Sequence, residues 1–223
     1  MKLSTLLKSL CFVPTVLGAF DLNRAGAVLK APEGDSFTSV TGTFTVPNLT
    51  GNNKLSIWIA IGDSLNQDIV LKGGITYANG LKSWAAWFPA PETDITSTVP
   101  VRSGDSITVT VSTAAGSTGG TVVVENKTQN RRTTQTITAP ADFDPSRLNA
   151  LAADWFVQAY QTAGELVQVP RFQTVTFTAC SATLASGGTV ALTSAGVYEI
   201  QGTSGQIYSR TTTTANGVTV RQQ

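Results

Sequence analysis

The sequence predicts an all-β protein that folds as one antiparallel sandwich or jelly roll. The chain has 223 residues, a length that suits a single domain with a substantial core. Thr, Val and Ser dominate, and apolar and polar residues alternate with period two in many short segments. Pieces rich in Gly, Asn, Ser and Pro separate these segments, as is typical of antiparallel strands joined by turns.

The alternating segments are the predicted strands. The cleanest is Ile-Thr-Val-Thr-Val at 107–111, and the first ends at Pro47, which cannot donate to a strand ladder. In chain order the predicted strands are 42–46, 55–61, 107–111, 121–125, 134–138, 167–178, 197–200 and 218–220. Asp144 and Pro145 suit the cap and first turn of a short helix. The apolar residues 148–160 are compatible with helix or strand.

The composition excludes several classes of function. Lys and Arg number 15, Asp and Glu number 14, and there is no histidine, so the formal net charge is +1. Ser-His-Asp and Cys-His nucleophiles and His-ligated metals or haem are therefore excluded. With 13% charged residues the chain lacks the basic surface of a nucleic-acid binder. We expect no cofactor, no metal and no nucleic-acid partner, and acid–base chemistry must use carboxylates, Lys, Tyr, Cys or water.

Residues 1–18 are predicted to be a signal peptide, with an approximate end at Gly18 or Ala19. Lys2 and Lys8 flank the start of an apolar stretch, 6–19, that is too short to span a bilayer. We therefore expect a secreted protein, or one in the lumen of the secretory pathway. Its mature part, 19–223, would be a single domain outside the membrane. A buried N-terminal helix is the alternative.

Cysteines and sequons agree with export. Cys11 lies in the signal, so Cys180 is alone in the mature chain. Its alternating strand context favours a small buried residue over a reactive thiol. Asn48 and Asn126 begin Asn-X-Thr sequons beside turn-like segments, which predicts glycosylation at both.

The tryptophans form the one distinctive aromatic pattern. Trp58, Trp84, Trp87 and Trp155 are the four in the chain. Trp84 and Trp87 are three residues apart, so in a regular strand they face opposite sides. The ordinary interpretation is a core with one exposed ring. The functional interpretation is the wall of a groove that binds a sugar, a peptide or a flat ligand.

Nine segments resemble the fungal glutamic peptidases (eqolisins), in the right order from about residue 22 to the C-terminus. They are 23–29, 37–47, 58–61, 69–74, 84–89, 103–107, 124–128, 153–155 and 172–177. The resemblance implies a concanavalin-A-like sandwich of two curved antiparallel sheets, with the substrate groove on the concave face. The residues that we expect to line this groove are Arg24, Trp58, Thr76, Trp84, Trp87 and Phe88. Gln67 lies on the approach to Lys72 and is expected at its rim, although solvation of a loop explains it equally well.

The resemblance also implies a catalytic pair that this chain has replaced. The family uses a Gln amide and a Glu carboxylate on water, and Lys72 and Asp154 stand at those positions. Arg24 replaces a Trp, Gly62-Asp63 replaces Asp-Gly, and Thr76 and Ala86 replace acidic residues. The near-neutral charge agrees with this loss of groove carboxylates.

Three interpretations of Lys72 and Asp154 follow. In the first, the two residues form a salt bridge across an inactive site. In the second, they form a new site in which the lysine is buried and its pKa is lowered. In the third, the protein is a peptidase that retains the old mechanism.

The function hypotheses follow from these interpretations. The first is a repurposed enzyme, with fungal secondary metabolism as a setting, that converts a small molecule by isomerisation, elimination or cyclisation. The second is a non-catalytic groove that binds a peptide, a glycan or a metabolite. The third is a secreted acid endopeptidase. An enclosed Lys72 that is not fully paired with Asp154 favours catalysis, whereas a paired bridge on an open groove favours binding. The oligomeric state stays open.

Overall fold

A computed structural model describes residues 18–51, 53–62, 69–142, 144, 147–162, 165–166 and 169–223. The predicted signal peptide, apart from Gly18, lies outside these residues. In chain order the strands are β1 (Ala19–Asp21), β2 (Arg24–Lys30), β3 (Phe37–Thr45), β4 (Leu55–Gly62), β5 (Val70–Tyr77), β6 (Leu81–Phe88), β7 (Thr93–Asp94), β8 (Ser106–Ser112), β9 (Gly119–Asn126), β10 (Arg131–Thr138), β11 (Ala152–Ala159), β12 (Gln161–Thr162), β13 (Glu165–Leu166), β14 (Thr174–Leu184), β15 (Gly196–Ile200), β16 (Ser209–Thr214) and β17 (Gly217–Gln222). A 3-10 helix covers Leu192–Ser194.

Two large sheets form the sandwich, which confirms the predicted fold class. The first has the order β1-β15-β2-β11-β4-β5-β6-β7, and the second has the order β10-β9-β8-β3-β14-β17-β16. The β1–β15 pair is parallel and the other strand pairs are antiparallel. Within the described residues no helix has both the length and the apolar character needed to cross a membrane.

The predicted strands all fall on observed strands, with one error at an end. The segment 167–178 was expected to be extended throughout, but β14 begins at Thr174. The residues before it are held by a side chain, because Gln222 Oε1 accepts hydrogen bonds from the backbone N–H groups of Phe172 and Gln173. The ambiguous segment 148–160 contains strand β11. The predicted helix start at Asp144 and Pro145 falls largely outside the described residues.

The main core lies between the two sheets. Trp155 is fully buried there, and its indole N–H donates to the carbonyl oxygen of Thr41 in the opposite sheet at 3.0 Å. Trp87 belongs to the same core and is 1% exposed. The prediction that Trp87 lines the groove is therefore wrong. The period-two rule places Trp84 and Trp87 on opposite faces, and Trp87 takes the inner one.

A second apolar cluster covers the outer face of the eight-stranded sheet. It contains Val28, Trp58, Ala60, Val70, Trp84, Ala86, Ala152 and Phe156, with Tyr198 packed against it. Strands β4, β5, β6 and β11 are therefore buried on both faces. This second face carries the candidate site.

Two side-chain environments bear on the cysteine and sequon predictions. Cys180 is buried, as predicted, and burial raises the pKa of its thiol to about 12. Asn126 is fully buried, and its Nδ2 donates to Pro100 O at 2.8 Å and Asp105 Oδ2 at 2.7 Å. A glycan attaches at this nitrogen, so the folded protein does not offer Asn126 as a glycosylation site. Asn48 is exposed and its glycosylation stays a prediction.

Candidate active site

Strand register brings Lys72 and Asp154 into one row across the eight-stranded sheet. Asp154 of β11 pairs with Ala60 of β4, which pairs with Lys72 of β5, which pairs with Ala86 of β6. Paired residues share a face, so the two charged residues lie on the outer face with one strand between them. Two interstrand spacings separate their Cα atoms by about 10 Å. Ala60, which is itself fully buried, is the residue that lies between them in this row.

Aromatic rings surround the Lys72 ammonium. Its Nζ lies 5.3 Å from the ring centre of Trp58, 5.5 Å from that of Trp84 and 5.2 Å from that of Phe88. These are cation–π distances, and the rings replace water around the charge. Burial is the main cause that lowers the pKa of Lys72 below 10.5. The charges of Arg24 and Lys54 lower it further, while the charge of Glu92 opposes the shift.

Lys72 makes no ion pair with any described carboxylate. Within the described part of the chain, ion pairs join Arg24 to Asp21, Lys82 to Asp94 and Arg210 to Glu199, and Lys72 belongs to none of these pairs. The interpretation of Lys72 and Asp154 as a salt bridge across an inactive site is therefore not supported.

Asp154 is fully buried beneath the outer face, at 0% exposure. Its neighbours along β11 on this face, Ala152 and Phe156, belong to the second apolar cluster. A carboxylate in such surroundings interacts strongly with nearby charge, because the local dielectric is low.

A hydrogen-bonded chain of polar side chains continues the floor beyond the aromatic rings. The Trp84 indole N–H donates to Thr76 Oγ1 at 2.8 Å, and Thr76 Oγ1 lies 2.5 Å from Ser56 Oγ. Ser56 Oγ is hydrogen-bonded to the Tyr160 hydroxyl at 2.8 Å. Lys54 Nζ lies 4.0 Å from the centre of the Tyr160 ring. This chain fixes the orientation of Trp84 beside Lys72.

Gln158 is held in one orientation by Trp58. The Trp58 indole N–H donates to Gln158 Oε1 at 2.9 Å. An indole N–H can only donate, so it selects the oxygen of the amide and turns the NH₂ group of Gln158 away from Trp58.

Two cavities lie on this face. The first, of about 160 Å³, is lined by Trp58, Val70, Lys72, Phe88 and Gln158. The second, of about 310 Å³, is lined by Lys54, Thr76, Ala78, Lys82, Ser83, Trp84, Glu92 and Asp94. We call the two cavities together the groove. Lys72 opens into the smaller one.

Arg24 stands at the margin of this face. Its Nε and Nη2 both donate to Asp21 Oδ2, at 3.0 and 2.6 Å, and its guanidinium lies 5.5 Å from the ring centre of Phe156. Its Nη1 is buried without a hydrogen-bond partner among the described residues.

The structure brings together most of the residues that the sequence assigned to the site. Lys72, Asp154 and five of the predicted groove residues share the outer face: Arg24, Trp58, Thr76, Trp84 and Phe88. Trp87 does not, and Gln67 lies outside the described residues. Sequence reasoning missed Ser56, Gln158 and Tyr160. Their signal was weak, a polar residue within or beside an otherwise apolar strand. Within the described ranges no group of three or more Cys, Asp or Glu side chains is arranged to hold a metal ion.

A two-sheet sandwich with a groove on the outer face of its larger sheet defines the class as a glutamic-peptidase fold. The peptidase A4 family profile matches residues 22–222, so the chain belongs to the peptidase A4 family. It is similar to aspergillopepsin-2 of Aspergillus niger, with 30% identity over 228 residues that cover 90% of this chain and 77% of that protein.

Solved structures show the same fold. Scytalido-glutamic peptidase with a transition state analog inhibitor superposes with a TM-score of 0.79 at 22% identity, covering 91% of this chain and 99% of that one. Aspergilloglutamic peptidase from Aspergillus niger superposes with a TM-score of 0.65 at 29% identity, covering 77% of this chain and 99% of that one.

Proposed function

We propose that this protein is a cofactor-independent enzyme that binds a small molecule in the groove and converts it by proton transfer, in an isomerisation, elimination or cyclisation. The observation that carries the proposal is the environment of Lys72. Its Nζ is enclosed by three aromatic rings, opens into a cavity, and makes no ion pair with a described residue. A lysine with these properties is suited to chemistry, because its proton is more easily lost than that of a solvated lysine.

Lys72 and Asp154 have complementary roles in this proposal. Asp154, as a carboxylate, accepts a proton from the substrate, and Lys72, as an ammonium, donates one to the oxygen that gains charge. In an elimination the leaving hydroxide departs with the proton of Lys72 as water. In an isomerisation the same substrate loses one proton and gains another. Neither reaction needs a cofactor.

Membership of the A4 family favours a second candidate, an acid endopeptidase. The resemblance to glutamic peptidases, however, assigns Gln and Glu to the positions of Lys72 and Asp154. A protonated lysine only donates, whereas a Gln amide also accepts, and Asp is one methylene shorter than Glu. Small displacements of a catalytic group are costly. These two differences support proton-transfer chemistry over peptide hydrolysis.

The proposal includes export along the secretory route. It is supported by the basic and apolar pattern of residues 1–18 and by the exposed sequon at Asn48.

The ring opening of 5-nitrobenzisoxazole tests the proposal. This flat probe opens when a base removes its ring proton, and the product is a phenoxide. We expect saturable ring opening by the purified protein. Lys72→Met and Asp154→Asn should each lower kcat/KM at least about 10-fold, as is typical of a lost acid–base group. Lys127→Met removes the same charge at an exposed position in the turn between β9 and β10 and should leave the rate unchanged.

Casein digestion at acidic pH supplies the contrary outcome. Digestion that persists in Lys72→Met would overturn the proposal in favour of an endopeptidase. A ring-opening rate that is the same in the wild type and in Lys72→Met would leave a groove that binds without catalysis.

A further inference from the structure

We propose that Lys72 and Gln158 together form a binding site for an anionic oxygen, so that the ligand is a flat molecule that carries or develops a carboxylate, phenolate or enolate. This inference rests on the proposed function, because it names the substrate class and a further residue of the same groove.

The two donors open into one cavity. Lys72 and Gln158 both line the space of about 160 Å³ whose remaining walls are Trp58, Val70 and Phe88. Neither Lys72 Nζ nor Gln158 Nε2 donates a hydrogen bond to a described residue, although Gln158 Oε1 accepts one from Trp58 at 2.9 Å. Both donors are therefore available to a ligand that accepts hydrogen bonds.

Trp58 arranges the pair. It lies beneath Lys72 Nζ at 5.3 Å from its ring centre, and its indole N–H holds the oxygen of Gln158. The amide therefore presents its NH₂ group, and both partners of Trp58 offer donors rather than acceptors. A neutral or cationic ligand group finds no acceptor in this pair.

Lys72 is the charge that an anion in this cavity would meet. The charge of Glu92 raises the pKa of Lys72, and the charges of Arg24 and Lys54, each with a smaller effect than Glu92, lower it. Arg24 is neutralised by Asp21, but Lys54 and Lys72 make no ion pair with a described residue. Glu92 is exposed, and Asp154 lies two strands from Lys72, on the far side of Ala60. An anionic oxygen beside Lys72 therefore interacts with the nearest charge of opposite sign.

The aromatic walls favour a flat, apolar body for the rest of the ligand. Trp58 and Phe88 give this cavity two aromatic walls. Such walls exclude water, which strengthens a hydrogen bond to a charged oxygen. In the proposed reaction this oxygen is the one that gains charge as Asp154 removes a proton.

Calorimetric titration at low salt with benzoate and with benzamide tests the inference. The two probes have the same ring and differ in charge. We expect benzoate to bind at least 10-fold more tightly than benzamide. Lys72→Met should remove this preference. Gln158→Glu keeps an acceptor for Trp58 but replaces the NH₂ donor with a carboxylate, and should abolish benzoate binding with little change for benzamide.

Matched controls lie in the β9–β10 hairpin of the other sheet. Lys127→Met and Gln135→Glu make the same changes away from the groove and should leave both affinities unchanged. Equal affinities of the wild type for benzoate and benzamide would overturn the inference, and so would a preference that survives Gln158→Glu. The ring-opening assay is independent of this result. Benzoate preference without ring opening removes the proposed catalysis, and ring opening without the preference removes only the anion site.

Discussion

At the scale of single residues, the side chains that decide function differ little in type from those that do not. Trp84 and Trp87 are three positions apart in one strand, yet one lies in the groove beside Lys72 and the other in the core. Alternation predicts that they face opposite sides, but it does not say which side is the groove. In the same way Asn48 and Asn126 each begin a sequon of the same type. Only the fold reveals that the amide nitrogen of Asn126 donates hydrogen bonds to Pro100 and Asp105.

Replacement of Lys72 by Met is expected to stabilise the protein at neutral pH. Burial lowers the pKa of Lys72, so the folded state carries the cost of a desolvated charge at pH 7. That cost disappears as pH rises through the lowered pKa toward 10.5, because the amine becomes neutral. We therefore expect Lys72→Met to raise Tm at pH 7 by about 2 °C or more, with a gain that shrinks as pH approaches 10.5.

Thermal unfolding followed by circular dichroism across this pH range measures the effect. Lys127→Met is the control, since its side chain is exposed and its replacement should not change Tm. A Lys72→Met variant that is less stable than the wild type at pH 7 would contradict this account.

At the scale of elements, the four strands β11, β4, β5 and β6 form the floor of the site and are buried on both faces. Burial on both faces removes the polar half of the alternation, which is why the sequence of β5 shows little strand pattern. Small residues on these strands allow close packing on both the outer and the inner face of the sheet. Ala60 and Ala86 are the small residues on either side of Lys72 in its row, and Gly73 faces inward and lets the two sheets approach.

Gly73→Ala is expected to destabilise the protein. A Cβ at this position would overlap the side chain of Val122 in β9 and lie 3.4 Å from Val109 Cγ1 in β8. Overpacking of this kind costs about 1–3 kcal/mol. The free energy of unfolding in urea measures the loss.

Gly119→Ala is the matched control in β9. A Cβ there has no neighbour closer than 3.9 Å, so the change should be neutral or stabilise by roughly 0.5 kcal/mol. Equal unfolding free energies for the two variants would show that the sheets do not pack closely at Gly73.

At the scale of the whole molecule, one core joins both sheets. It includes Phe44 and Val109 of the seven-stranded sheet and Ile59 and Trp155 of the eight-stranded sheet. Neither sheet can expose its inner face without opening the other, so we expect the sandwich to unfold as one cooperative unit.

Cys180 reports this global unfolding. Its thiol is buried in β14, and burial raises its pKa to about 12, so the reactive thiolate is scarce in the folded state. We expect iodoacetamide at pH 8 to leave Cys180 unmodified in the native protein and to modify it fully in guanidinium chloride. Quantification of the Cys180 peptide by mass spectrometry separates it from Cys11. Rapid modification under native conditions would reveal local opening of β14.

The sequence by itself determined the strand-rich character, the absence of histidine chemistry, and the opposite faces of Trp84 and Trp87, because alternation and composition are local properties. The resemblance of nine segments to the glutamic peptidases predicted that Lys72 and Asp154 stand at the catalytic positions. Only the tertiary structure decided that Trp87 lies in the core, that Asn126 is buried, that Lys72 makes no ion pair with a described residue, and that Trp58 orients Gln158. These facts depend on strand order, since β11 lies between β2 and β4 although about 90 residues separate β4 from β11 in sequence.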